Sequence, residues 1–128
     1  MITTLESATV HVSDQDRALD FYTGTLGFRK ERDAPMDGGM RWLAVTPPGG
    51  GAALILAKGF GSWAPEKVGS FTGLVLNVED MAATCEALRA AGVRFDLEPE
   101  QQPWGMQAVI ADPDGNTFVL RSFEGAEL

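Results

Sequence analysis

Apolar positions recur at strand spacing and then at helix spacing in two successive blocks of the chain. The first block reads Val10-His11-Val12-Ser13-Asp14, then a helical stretch, then Leu26-Gly27-Phe28-Arg29. The second reads Leu76-Asn77-Val78-Glu79-Asp80, another helical stretch, then Ala91-Gly92-Val93-Arg94-Phe95. Each is a strand, an acidic helix start, a helix, a glycine stop and a further strand. In the first helix Leu19, Tyr22 and Leu26 form one apolar stripe, because residues three or four apart share a helical face. Ser13 followed by Asp16 resembles a capping arrangement, which offers short polar side chains to free backbone N–H groups. In the second helix Met81, Cys85 and Leu88 form the stripe, and Gly92 is the stop. Cys85 aligns with Leu19, which favours a small buried apolar side chain over a reactive thiol.

After each helix the pattern turns to strands. Residues 28–32, 41–46 and 53–57 follow the first helix; residues 93–97, 106–111 and 117–123 follow the second. Between them lie turn residues: Met36-Asp37-Gly38-Gly39, Pro47-Pro48-Gly49-Gly50-Gly51 and Asp112-Pro113-Asp114-Gly115-Asn116. The predicted fold is α+β: two βαβββ modules with a helix on one face of each sheet. The first module spans about residues 1–59, a connector covers 60–69, and the second module spans about 70–123 of the 128-residue chain. Units too short to bury a face alone usually pack against their copies.

The stretch from Val12 to Tyr22 with Leu26-Gly27-Phe28 after it, together with Pro103-Trp104-Gly105 and Asp112-Pro113-Asp114-Gly115-Asn116, resembles the vicinal oxygen chelate superfamily. This is the glyoxalase, bleomycin-resistance and dioxygenase type, and the resemblance runs from about Ile2 to Phe123. It implies a single domain whose curved mixed sheets surround a cavity, and a homodimer in which modules often pair between chains. It also implies a divalent metal held by His, Glu or Gln from the first and fourth strands of each module.

This sequence departs from that metal set. The family position seven residues before the helix-start Asp14 is Ser7, and seven before Asp80 is Gly73. On the fourth strand of the first module the position is Ile55, and four residues after Gly115 it is Val119. Isoleucine, glycine and valine side chains donate nothing to a metal, and a neutral serine hydroxyl is a poor ligand. No metal and no other cofactor is therefore expected. Glyoxalase, epimerase, dioxygenase and metal-dependent thiol-transferase activities are put in doubt.

Strand alternation selects what faces away from the helices. Ser7, Thr9 and His11 share one face of the first strand, with Trp42 and Ala44 beside them and Ile55 at its family position. Gly73, Val75 and Asn77 form the matching set in the second module, with Thr117, Val119 and Arg121 on the last strand. This is a largely apolar surface with a few polar points, the usual makeup of a small-molecule site. His11 is read either as a ligand-orienting group or base, or as a hydrogen-bonded histidine with no chemistry. Arg121 pairs with a ligand carboxylate or balances nearby acids. Trp42 stacks on a planar ligand or packs in the core, and Trp104 touches ligand or forms a wall. Trp63 either closes over the site or staples the connector.

Charge and composition narrow the function classes. Net charge is −8, from ten basic and eighteen acidic residues, with no Lys/Arg cluster to displace counterions, so no nucleic-acid partner is expected. The acidity favours a cationic ligand at long range, or serves solubility alone. No apolar run is long enough to span a bilayer. A single cysteine excludes an intrachain disulfide. The start, Met-Ile-Thr-Thr-Leu-Glu, has no basic region followed by an apolar stretch, which gives the expectation of a cytoplasmic protein. The leading expectation is a metal-independent protein that binds a small aromatic or cationic organic molecule, resembling bleomycin-resistance-type sequestering proteins in antibiotic resistance. It is not expected to be an enzyme. The alternatives are a metal-free acid/base enzyme using His11 with Arg121 or Asn77, and a metal-dependent glyoxalase or dioxygenase. An enzyme here would be of the lyase/isomerase or dioxygenase-like kind.

Overall fold

A computed structural model describes residues 1–127, and these divide into two compact units, one ending at Gly69 and one beginning at Ser70. The fold is α+β, with one four-stranded mixed sheet and one α-helix in each unit. In the first unit β1 (Ser7–His11), α1 (Gln15–Asp20), β2 (Arg29–Pro35), β3 (Arg41–Thr46) and β4 (Ala53–Ala57) build a sheet of order β1-β4-β3-β2. In the second, β5 (Phe71–Asn77), α2 (Met81–Ala90), β6 (Arg94–Gln102), β7 (Gly105–Ala111) and β8 (Thr117–Ser122) repeat the plan in the order β5-β8-β7-β6. The first and last strand of each unit run parallel and the other pairs antiparallel. No helix among the described residues is long and apolar enough to cross a membrane.

Each helix covers one side of its sheet, α1 against β4 and α2 against β6. The buried side chains sort accordingly. Val10, Leu43, Val45, Leu54 and Leu56 alternate onto the helix side of the first sheet with Ala18 and Tyr22. Met81, Cys85 and Leu88 meet Ala108, Ile110, Phe118 and Leu120 in the second. Cys85 is a buried free thiol whose Sγ lies 3.6 Å from the Met81 sulfur, and burial pushes its pKa up.

Two expectations about local structure need correction. The caps are the aspartates themselves: the Asp14 carboxylate accepts from Arg17 N at 3.1 Å and that of Asp80 from Ala83 N at 3.0 Å. Aspartate is as good a cap as serine, and Asp14 stands one residue nearer the helix than Ser13. The first helix changes pitch at Phe21, where a π-helical turn runs to Thr25 and Leu26 N bonds Phe21 O. That wider turn rotates the buried face, so Ala18 and Tyr22 are buried while Leu19 and Leu26 are only half-buried. Trp63 donates its indole N–H to Val12 O at 3.0 Å and Phe60 packs on Trp42, so residues 60–69 belong to the first unit.

Candidate functional site

The face of each sheet turned from its helix carries the sequence-selected residues. In the first unit Ser7 pairs with Ala53, Thr9 with Ile55, and Ile55 with Ala44, so these side chains share that face. Ala44 in turn pairs with Arg32 across a bulge at Glu31, and Trp42 pairs with Ala34. Thr9 is exposed, Ser7, His11 and Trp42 are half-buried, and Ile55 is buried at 4% exposure. The Trp42 and Phe60 rings lie 5.9 Å apart at 32°. Beside them Arg32, Ala34, Pro35, Met36 and Trp42 line a shallow depression of about 280 Å³. Sequence reasoning picked out Trp42 there and missed Arg32 and Met36, because the bulge in β2 breaks the count of two.

His11 ends β1, paired with Ala57. Burial, and then the positive charge of Lys67, hold its pKa below the ordinary histidine value. Its imidazole is therefore neutral at pH 7, the form that accepts a proton or a hydrogen bond. Trp63 lies in the same unit, and its indole N–H donates to the Val12 carbonyl.

Arg41 anchors the far edge of this sheet. It makes a forked pair with Asp33, with Nε and Nη2 each 2.8 Å from a carboxylate oxygen, and reaches Asp16 at 2.7 Å. That pairing raises the Arg41 pKa and lowers that of Asp33. Gln15 donates to Arg41 O and Leu56 O, both at 2.9 Å, and so ties the start of α1 to two strands.

In the second unit the sheet register sets out two rows. Val75, Val119, Val109 and Leu97 align across β5, β8, β7 and β6 as an apolar row. One step along, Asn77, Arg121, Gln107 and Glu100 align as a polar row. Arg121 is the centre of this face. Its Nη2 donates to Trp104 O at 3.1 Å, and its Cζ stands 4.6 Å from the centroid of the Phe123 ring. The Trp104 indole N–H donates to Gln107 Oε1 at 3.2 Å. Trp104 and Phe123 are 45% and 58% exposed, and of the two rings that of Phe123 lies over the guanidinium. Gln107 and Phe123 escaped the sequence reading, although the Arg121–Phe123 spacing of two already places both on one face.

Gly73 does not fit the alternation used to place it. Phe71 pairs with Thr117 and Val75 with Val119, so β5 carries two more residues than β8 between those pairs. The excess is absorbed in a bulge at Thr72, Gly73 and Leu74, where Gly73 takes φ +72° and Thr72 Oγ1 bridges Leu74 N and Thr117 O. A Cβ built at 73 would stand 3.9 Å from the Phe71 ring, and regular alternation does not hold across the bulge.

The Asp112–Asn116 turn positions β8. The Asp112 carboxylate is buried and accepts from Asp114 N, Asn116 N and Asn116 Nδ2, each at 2.9 Å. Asn116 Oδ1 accepts from Ser70 N at 3.0 Å, which fixes the entry to β5.

Comparison with known proteins follows the same plan. The sequence model of the Glyoxalase/Bleomycin resistance protein/Dioxygenase superfamily matches residues 4–120. The crystal structure of TnmS3, an antibiotic binding protein from Streptomyces sp. CB03234, is 40% identical with a TM-score of 0.83, covering 94% of this chain and 96% of that one. The uncharacterized protein YetH of Bacillus subtilis (strain 168) is 33% identical over 94% of this chain and 99% of its own length. A probable lactoylglutathione lyase of Vibrio cholerae is 29% identical over 87% of this chain and 84% of its own.

Proposed function

Because the chain belongs to the glyoxalase/bleomycin resistance protein/dioxygenase superfamily, we propose that it is a metal-independent member that binds a small aromatic molecule without transforming it. The observation that carries this reading is the side-chain chemistry at the four metal-bearing positions, Ser7, Ile55, Gly73 and Val119. Among the described residues no three His, Cys, Asp or Glu side chains come together. The surfaces around those positions instead offer Trp42 with Phe60, and Trp104 with Phe123. Likeness to an antibiotic binding protein at 40% identity supports a sequestering role in drug resistance. The same reading takes the protein as a cytoplasmic homodimer. Phe71, 69% exposed on the edge strand β5, is apolar surface that a second copy would cover.

A catalytic reading has one observation in its favour, the relative named as a probable lactoylglutathione lyase. In this chain that chemistry would fall to the neutral His11, since the four family positions carry no side chain suited to hold a metal. Native mass spectrometry of the tag-free protein, with a fluorescence titration before and after EDTA, separates the two. The expected result is a dimer mass free of transition metal, and quenching by a planar aromatic ligand that EDTA leaves unchanged. That quenching should disappear in the Trp42→Phe/Trp104→Phe double variant. A stoichiometric zinc, nickel, iron or manganese ion whose removal abolishes binding would overturn the proposal.

A further inference from the structure

We infer that Arg121 is an oxyanion anchor, and that the ligand is a planar aromatic molecule carrying an ionised oxygen, a carboxylate or a phenolate. This rests on reading the helix-free face of the second sheet as a ligand-binding surface. Within a chain of net charge −8, the arginines with defined roles are held by acids: Arg41 by Asp33 and Asp16, Arg89 by Glu98, Arg94 by Asp96. Arg121 is different. It is half-buried in the middle of a sheet, not at a surface turn, and among the described residues no carboxylate pairs with it. Its row-mate Glu100 lies two strands away, roughly 10 Å at ordinary strand spacing. Its contacts are a carbonyl and the face of a ring, which together hold the guanidinium flat without neutralising it.

One donor is left over. Arg121 Nε is shielded from solvent and has no acceptor among the described residues. A buried N–H on a charged group without an acceptor is costly, and a ligand oxygen that supplied one would recover that cost. The Phe123 ring that covers this guanidinium is 58% exposed, so an entering planar molecule can displace it and take its place against the charge. Asn77 and Gln107 flank Arg121 on the neighbouring strands and add short polar reach on either side. The apolar row of Val75, Val119, Val109 and Leu97 lies next to this polar row, a floor suited to the rest of an aromatic skeleton. Forked guanidinium donors match a two-oxygen anion in geometry as well as charge. The overall negative charge favours a cationic ligand only at long range, and screening in about 0.1 M salt confines that effect to roughly 10 Å. The local unpaired cation decides the contact.

The test uses three probes with one ring system: 2-naphthoate, neutral 2-naphthamide and cationic 2-naphthylmethylammonium. Each is titrated by calorimetry into the full-length protein and into Arg121→Gln and Arg121→Lys. Wild type is expected to prefer naphthoate over naphthamide by about tenfold or more, the scale of a charge-assisted hydrogen bond. Arg121→Gln should lose the preference, its affinity for naphthoate falling to that for naphthamide, while Arg121→Lys keeps a smaller preference. Equal binding of naphthoate and naphthamide to wild type, or a preference that survives in Arg121→Gln, would overturn the anchor yet leave an aromatic site. Stronger binding of the ammonium probe would do the same. Loss of both naphthoate and naphthamide in Arg121→Gln would make Arg121 a support for the surface and overturn its role as anchor. No binding of any probe to wild type would overturn the binding reading as well.

Discussion

Replacing Gly105 with alanine tests whether the packing that holds Arg121 is as tight as the geometry requires. Gly105 opens β7 at φ +129°, a conformation nearly closed to residues with a side chain. A Cβ built there would stand 2.0 Å from Ser122 O, 3.1 Å from Ser122 C and 3.2 Å from Phe123 Cα. All three are backbone atoms at the end of β8 and just beyond it, so no rotamer change relieves the overlap. Backbone strain of this kind costs about 1–3 kcal/mol. Parting β7 from β8 far enough to admit a methyl group also loses one or two ladder hydrogen bonds at about 1 kcal/mol each. The expected destabilisation is about 2–5 kcal/mol, a large share of the roughly 5–15 kcal/mol typical of a folded domain. Urea denaturation followed by far-UV circular dichroism reads it. Gly24→Ala is the control: Gly24 lies in the π-helical turn with nothing within 4 Å of where a methyl group would stand, and alanine there should be neutral or gain up to about 1 kcal/mol. A Gly105→Ala protein within about 1 kcal/mol of wild type, or a control that loses as much, would refute the reasoning. The substitution also moves Trp104 and Phe123, the two residues against Arg121, so affinity for an anionic probe should fall with stability.

Two further outcomes follow from groups described above. Asp112→Ala removes three hydrogen bonds to a buried carboxylate, at a cost of about 2–4 kcal/mol; a melting temperature equal to wild type would contradict this. His11 has a folded pKa lowered first by burial and then by Lys67, so the unfolded chain binds its proton more readily. Stability should therefore decline as pH falls below about 6.5, through the unfolded value toward the lower folded one, and His11→Gln should flatten that part of the profile. An unchanged pH dependence in the variant would remove His11 as its source.

The repeat and both helix–sheet faces were legible because alternation and helical spacing are strong signals where one side is buried. Met81, Cys85 and Leu88 are all buried as the periodicity predicts. Prediction failed where local geometry inserts or removes a residue. The π-helical turn at Phe21–Thr25 rotates the first helix, the bulge at Glu31 shifts Arg32 onto the Trp42 face, and the bulge at Gly73 spoils the count on β5. β2 runs on to Pro35 through five charged residues, so it carries no hydrophobic period that would reveal its length. The setting of Arg121 was half legible. Its spacing from Phe123 is in the sequence, but the acceptor at Trp104 is a backbone carbonyl, which no residue type announces.

The outer strands of the two sheets are guarded unequally against unwanted strand addition. β2 presents Arg29, Lys30, Glu31, Arg32 and Asp33 and ends on Pro35. β6 alternates Arg94, Asp96, Glu98 and Glu100 and contains Pro99. Charge and proline make both poor templates for a strand from another molecule, and the bulge gives β5 an irregular ladder. β1, Ser-Ala-Thr-Val-His, has neither acid, lysine, arginine, proline nor bulge. Fibrillar or open-ended association of this chain is therefore channelled to a single short edge, and whatever covers β1 also decides whether the protein stays free of aggregates as its concentration rises.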